Sequence, residues 1–184
     1  ADEHLLDAIA SEPRLMPHLH LSLQHGHDLM LKRMKRRHTR ADAVQLVEGL
    51  RIRRPDIAIG ADLIAGFPTE DDEMHVANLS IIEELDIVHG HIFPYSPRPG
   101  TPAARMPPVS RSIIRERAAE LRDMVARVRD RWLQAQLGQR LMVLAEADGT
   151  GHAENFARVA LPEGTLRGMV VPLTPTRLEG GLLL

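Results

Sequence analysis

Ile57-Ala-Ile-Gly-Ala-Asp-Leu-Ile-Ala65 is a near-continuous apolar run, and it ends abruptly at Gly66-Phe-Pro-Thr-Glu70. Such a run, without the alternation of a half-wet strand, marks a parallel strand buried on both faces. Gly66 and Pro68 stop it. Thr69 offers a hydroxyl cap, and Glu70, Asp71, Asp72 and Glu73 would complement the dipole of a following helix. Strand, glycine turn and helix N-terminus together place a ligand at the carboxyl end of the strand in parallel α/β folds. Gly66 lets a ligand approach the backbone, while the alternative is an ordinary strand-to-helix corner.

The flanking sequence repeats the unit. Leu5, Leu6 and Ile9 line a short first helix that Pro13 ends. His18-Leu-His-Leu-Ser-Leu-Gln24 alternates strictly, with Leu19, Leu21 and Leu23 on one side and His18, His20, Ser22 and Gln24 on the other. Asp28 to Met34 makes a helical turn or two. Thr39-Arg-Ala-Asp42 is a capping box with Asp in place of Glu, opening a helix that turns Ala43, Val47 and Leu50 inward and closes at Pro55. A helix from about 69 to 85 and a third strand, Ile87 to Phe93, complete the series. This order predicts parallel pairing with right-handed crossovers. Five prolines between 94 and 107 then form a rigid loop at a strand end, where neither helix nor ladder can form and a wall of a site is expected. Ser110 caps the longest helix, to about Gln136, with Ile114, Leu121, Val125, Val128 and Trp132 at helical spacing.

After Gly138 the character changes. Arg140 to Glu146, then Glu154 to Leu161, then Leu166 to Pro175 read as strands around an Asp148-Gly-Thr-Gly151 hairpin. The sequence therefore predicts two parts: an α/β unit over 1–137 and a small antiparallel β-barrel over 138–184.

Composition narrows the chemistry. The chain has no cysteine, so it supplies no disulfide, thiol nucleophile or thiolate-held cluster. Its formal charge of −2 decides nothing about nucleic acid by itself. Locally, however, Lys32, Arg33, Lys35, Arg36, Arg37 and Arg40 fall within nine residues, followed by Arg51, Arg53 and Arg54. That excess suits either a phosphate-contacting surface or a solvated helix face. The tail is less basic, with Arg140, Arg158, Arg167 and Arg177 against five acids. The pairs His18/His20, His25/His27 and His89/His91 have the spacing with which barrel hydrolases hold zinc, but no Asp or Lys stands out as the completing ligand, so no metal site is expected. No apolar run approaches the roughly 20 residues of a membrane-spanning helix. A cytoplasmic protein is expected. The opening Ala1-Asp-Glu-His reads as a helix already under way, suggesting a start inside a larger protein.

His20-Leu-Ser-Leu-Gln-His-Gly26, Leu31-Lys-Arg-Met-Lys-Arg-Arg37, Gly60 to Glu70 and His91-Ile-Phe-Pro-Tyr-Ser-Pro-Arg-Pro-Gly100 with the following Thr-Pro-Ala-Ala-Arg-Met-Pro107 resemble the radical S-adenosylmethionine methylthiotransferases. The resemblance is nearest to the MtaB-like branch, which modifies threonylcarbamoyladenosine beside the anticodon of tRNA. The tail, with Glu154-Asn-Phe156, resembles the TRAM module, an OB-like barrel that contacts tRNA in that family.

The resemblance implies the second half of a radical barrel followed by that module. It implies an intact enzyme with two 4Fe-4S clusters, whose cysteine ligands are absent here, so that this fragment would be inactive without a missing N-terminal part. It also implies a cofactor-derived radical that takes hydrogen from carbon 2 of the adenosine before methylthiolation. No general acid or base is singled out. Ser22, Gln24, Arg33, Ile64, Gly66, Phe67, Glu70, Phe93, Tyr95 and Ser96 are the implied S-adenosylmethionine contacts. Lys32, Lys35, Arg36, Arg37, Arg98 and Arg158 are the implied RNA contacts. Self-association is expected of an unpaired parallel edge. Three other readings stay open: a non-catalytic tRNA-binding piece, a ribosomal-protein methylthiotransferase, and a zinc-dependent barrel hydrolase.

Overall fold

The computed structural model describes residues 3–184. Helix α1 (Glu3–Ser11) leads into strand β1 (His18–Gln24), followed by α2 (Asp28–Arg33), α3 (Arg40–Arg53), β2 (Ala58–Ala65), α4 (Asp72–Glu84) and β3 (Ile87–Pro94). A short 3-10 turn (Ala103–Arg105) interrupts the proline loop before α5 (Arg111–Gln134). β1, β2 and β3 form a parallel sheet in that order. The predicted α/β class with parallel pairing is therefore observed.

Side-chain parity explains how the layers assemble. Leu23, Ala61, Leu63, Ala65 and Val88 join Ala43, Val47 and Leu50 of α3, Ile81 and Ile82 of α4, and Ala118, Leu121 and Val125 of α5 in one core. Burying each larger aliphatic side chain contributes about 1.5–3 kcal/mol. The opposite parity (His18, His20, Asp62, His89, His91 and Phe93) lies on the other face of the sheet, where the His89 ring still meets Trp132 of α5 edge to face at 5.5 Å. α3 begins as the sequence predicts, because Thr39 and Asp42 each accept the other's backbone N–H. Such a cap is worth about 1 kcal/mol.

The start of α4 differs from expectation. Thr69 has φ 67° and donates its hydroxyl to Pro68 O, while Asp71, in extended conformation, caps the helix by accepting Met74 N–H at 2.9 Å. An N-cap needs that extended conformation, which Thr69 lacks. Only Asp72 and Glu73 remain in the first turn.

The tail follows as β4 (Leu141–Ala145), β5 (Thr150–Ala153), β6 (Arg158–Ala160), β7 (Val170–Leu173), β8 (Leu178–Glu179) and β9 (Leu182–Leu183). Its sheet order is β7-β4-β5-β6-β9-β8, and β6 pairs with β9 in parallel, so the sheet is mixed rather than wholly antiparallel. The predicted strand from Glu154 to Leu161 is also corrected. Asn155 accepts Ala157 N–H through its side chain and Phe156 takes φ 66°, which makes a turn of 154–157 and leaves only Arg158–Ala160 as strand. Leu133, Leu141, Val143, Ala153, Ala157, Val159 and Leu183 form a second core, and Trp132 packs against both cores.

Candidate functional site

The carboxyl ends of the three parallel strands open onto a cavity of about 520 Å³, within the size range of small-molecule sites. Gln24 closes it from β1, Asp62 and Ile64 from β2, and Phe93 from β3. Phe67 lines it from the Gly66 turn, while Tyr95, Ser96, Arg98 and Thr101 line it from the proline loop. Tyr95 N–H donates to Ala65 O at 2.8 Å, so the proline loop continues the sheet for one residue before leaving it. The Phe67 and Tyr95 rings meet edge to face with centroids 5.3 Å apart. The Tyr95 hydroxyl is buried without a hydrogen-bond partner among the described residues. A buried orphan of this kind calls for a ligand or water to satisfy it.

The floor of the turn is rigid for an electrostatic reason. Glu70, fully buried at its side chain, accepts the N–H groups of Gly66 at 3.0 Å and Phe67 at 3.3 Å through Oε2. His25 Nε2 lies 3.2 Å from the same oxygen. His27 N–H donates to His25 Nδ1, which puts the His25 proton on Nε2, aimed at Glu70. Burial lowers the His25 pKa and outweighs the opposing pull of Glu70, so the ring is neutral. Arg117 supplies the compensating charge, donating to Glu70 O at 2.8 Å, to Glu70 Oε1 at 3.1 Å and to Asp72 at 2.7 Å. Gly66 has φ 70°, and a Cβ on it would sit 2.4 Å from Ile114 Cγ1, so no other residue fits this corner.

Of the residues picked out for a cofactor, Gln24, Ile64, Phe67, Phe93, Tyr95 and Ser96 share the cavity, and Gly66 forms the turn beside it. Ser22 and Arg33 do not line it: the Ser22 carbonyl accepts from Arg36, and Arg33 reaches Thr69 O at 3.4 Å. Glu70 faces inward, its oxygens taken by the turn, His25 and Arg117, and its visible work is to hold Gly66 and Phe67 in place.

The basic run divides in the same way. Lys32, Lys35 and Arg37 are exposed and make no ion pair among the described residues, and Arg98 lies exposed at the cavity rim. Arg40 is instead spent on Gly26 O, Ala77 O, Ser80 and Glu84. Arg51, Arg53 and Arg54 pair with Asp86, Glu3 and Asp56, and Arg158 with Asp148 at 2.7 Å.

Sequence reading missed Asn78 and Arg117. Asn78, fully buried on α4, accepts Gly26 N–H at 3.1 Å and donates to Ile64 O at 3.0 Å, tying two strand ends to the helix. Its one signal was a polar residue within an apolar helical stripe. Arg117 gave none, since arginines are frequent along α5.

The opposite end of the same face is closed. The Phe156 ring lies 4.5 Å from that of His18, and His89 Nε2 donates to Asn155 O at 3.3 Å. Burial, followed by the neighbouring His20, lowers the His18 pKa, and burial brings His89 down to about 4. A groove of about 790 Å³ lies beside this seam, between α3, the amino ends of β2 and β3, α5 and the tail.

A parallel β/α unit with a cavity at its strand tips, joined to a small β-rich module, is thus the class this structure defines. Comparison with known proteins carries this further. The threonylcarbamoyladenosine tRNA methylthiotransferase MtaB of Rickettsia prowazekii (strain Madrid E) is 41% identical over 182 residues, 99% of this chain and 43% of the relative. MtaB of Thermotoga maritima is 40% identical over 146 residues, 79% of this chain and 34% of the relative. The tRNA-2-methylthio-N(6)-dimethylallyladenosine synthase of Paracoccus denitrificans (strain Pd 1222) is 38% identical over 147 residues, 80% of this chain and 33% of the relative. No family model matches the chain. The chain is thus similar to tRNA methylthiotransferases along most or nearly all of its length, and it spans a third to 43% of the length of these relatives.

Proposed function

We propose that this chain is the part of a threonylcarbamoyladenosine tRNA methylthiotransferase that holds the adenosyl end of S-adenosylmethionine and presents a basic rim to the tRNA. The observation that carries this reading is the convergence of Gln24, Ile64, Phe67 and Tyr95 on one cavity, in a chain related to such enzymes along nearly its whole length. Three parallel strands with α3, α4 and α5 all on one face suit a segment of a β/α barrel, whose other face is the interior. The tail would serve as the TRAM module.

The residues present fit an adenosyl group. Ile64, Phe67 and Phe93 give it apolar and aromatic walls, and Gln24, Ser96 and Arg98 give it polar contacts. When bound, the cofactor supplies radical chemistry. This chain's part is to orient it and keep water from it. No residue fits an iron–sulfur cluster, because there is no cysteine, and no step involving a cluster is assigned to these residues.

Binding of the tRNA anticodon arm, followed by fluorescence anisotropy across a salt series, tests the RNA half of the reading. Replacing Lys32, Lys35 and Arg37 with Ala should flatten the plot of log K against log salt by about 0.7–0.9 for each phosphate no longer neutralised. An unchanged slope would overturn it. Calorimetry with S-adenosylhomocysteine tests the other half, with Gln24→Ala expected to weaken binding about tenfold, the loss of one hydrogen bond. Equal affinity of the two proteins would remove the cofactor assignment.

A further inference from the structure

His20, Asp62 and His91 meet on the inner face of the sheet, beneath the cavity. Asp62 stands on the central strand with His91 as its register partner on β3, and His20 reaches across from β1, where its partner is Gly60. Asp62 Oδ1 lies 2.9 Å from His20 Nε2 and 3.3 Å from His91 Nδ1. One ligand atom from each residue falls within 4.8 Å of the others. The two rings are 4.7 Å apart, inclined at 36°. Gly60 makes this possible: a Cβ there would lie 2.5 Å from His20 Nδ1, so any larger residue would push the ring off the central strand.

We propose that these three side chains bind one divalent transition-metal ion of the zinc, cobalt or iron(II) class. Two imidazole nitrogens and one carboxylate oxygen form the borderline donor set that such ions prefer over magnesium or calcium. Three protein ligands leave coordination positions free, and Asp62 also lines the cavity, so those positions face a space a small molecule can enter. The carboxylate offsets part of the ion's charge. Without an ion, the same atoms satisfy one another as two hydrogen bonds to a single oxygen, a geometry that needs only small adjustments to admit metal. The adjacent histidine pairs hinted at this chemistry in the sequence. The carboxylate that joins them comes from a strand 42 residues from His20 and 29 from His91, which spacing alone does not connect.

This site does not depend on the tRNA or adenosyl reading, because metal binding is measured on the chain itself. The tag-free 184-residue chain is titrated with cobalt(II) while visible absorbance is followed, and zinc is then added in competition. One saturable equivalent is expected. Asp62→Asn and His91→Gln should each weaken binding by at least about a hundredfold, at or above the top of the range for losing an outer-shell partner. His152→Gln, at the exposed His152–Glu146 pair (3.1 Å), should leave affinity unchanged. His91 is largely exposed, so its variant keeps the fold, and matching circular dichroism spectra check this. Absence of stoichiometric binding, or wild-type affinity in both Asp62→Asn and His91→Gln, would overturn the site.

Discussion

At the carboxyl end of the parallel strands, Gln24, Phe67 and Tyr95 surround open space, whereas at the amino end His18 and His89 are covered by Phe156 and Asn155 of the tail. Both ends belong to one face of one sheet. The first is held from below by a buried carboxylate with several partners: Glu70 meets two backbone N–H groups, His25 and Arg117. The second is closed by packing, with aromatic rings and neutral imidazoles replacing water. An open site thus needs buried hydrogen bonds that fix its backbone from below, since nothing above holds it. A closed end needs only a complementary cover.

The sharpest way to break this contrast is at Arg117. Arg117→Leu leaves Glu70 buried without its cationic partner and should cost about 3–5 kcal/mol in urea unfolding. A loss below about 1 kcal/mol would mean that Glu70 holds the turn without charge compensation.

At the closed end acid should act next. The His89 pKa is lowered to about 4 in the folded chain, so the unfolded state binds the proton more readily. Its stabilising contribution is therefore present above the unfolded value of about 6.5 and is lost as pH falls toward 4, by about 2–3 kcal/mol. His18 shifts in the same direction. Flat stability between pH 6.5 and 4.5, from denaturation at each pH, would contradict the buried-imidazole account.

Phe156→Ala should cost less, about 1–2 kcal/mol, since the ring remains partly exposed. It should also raise the His18 pKa, read by NMR titration, as water reaches the ring. An unmoved His18 titration would show that the cover does not reach it. The smallest effect is expected at the rim, where Lys35→Ala should change stability by less than about 0.5 kcal/mol. A larger loss would mean that Lys35, like Arg40, is part of the fold.

How far the sequence reaches can be judged from these same residues. The strict alternation of His18 to Gln24 and the apolar run to Ala65 prescribe strands, and Thr39 with Asp42 prescribes a helix start, because each signal lies within a few residues of the structure it makes. The turn at 154–157 escaped because Asn155 and Phe156 look strand-compatible until the Asn side chain captures a backbone N–H. The capping of α4 by Asp71 rather than Thr69 likewise depended on one dihedral angle.

The sequence by itself determined the parallel α/β layout, the loop that walls the cavity and the lack of any thiolate ligand, all consequences of local pattern or composition. Only the tertiary structure decided which charged groups work inward: Glu70 and Arg40 turn into the fold, Arg117 neutralises a carboxylate 47 residues away, and Asp62 stands between two histidines on neighbouring strands. The physical reason is that the energy of a charge depends on what surrounds it, and those surroundings come from segments far apart in the chain.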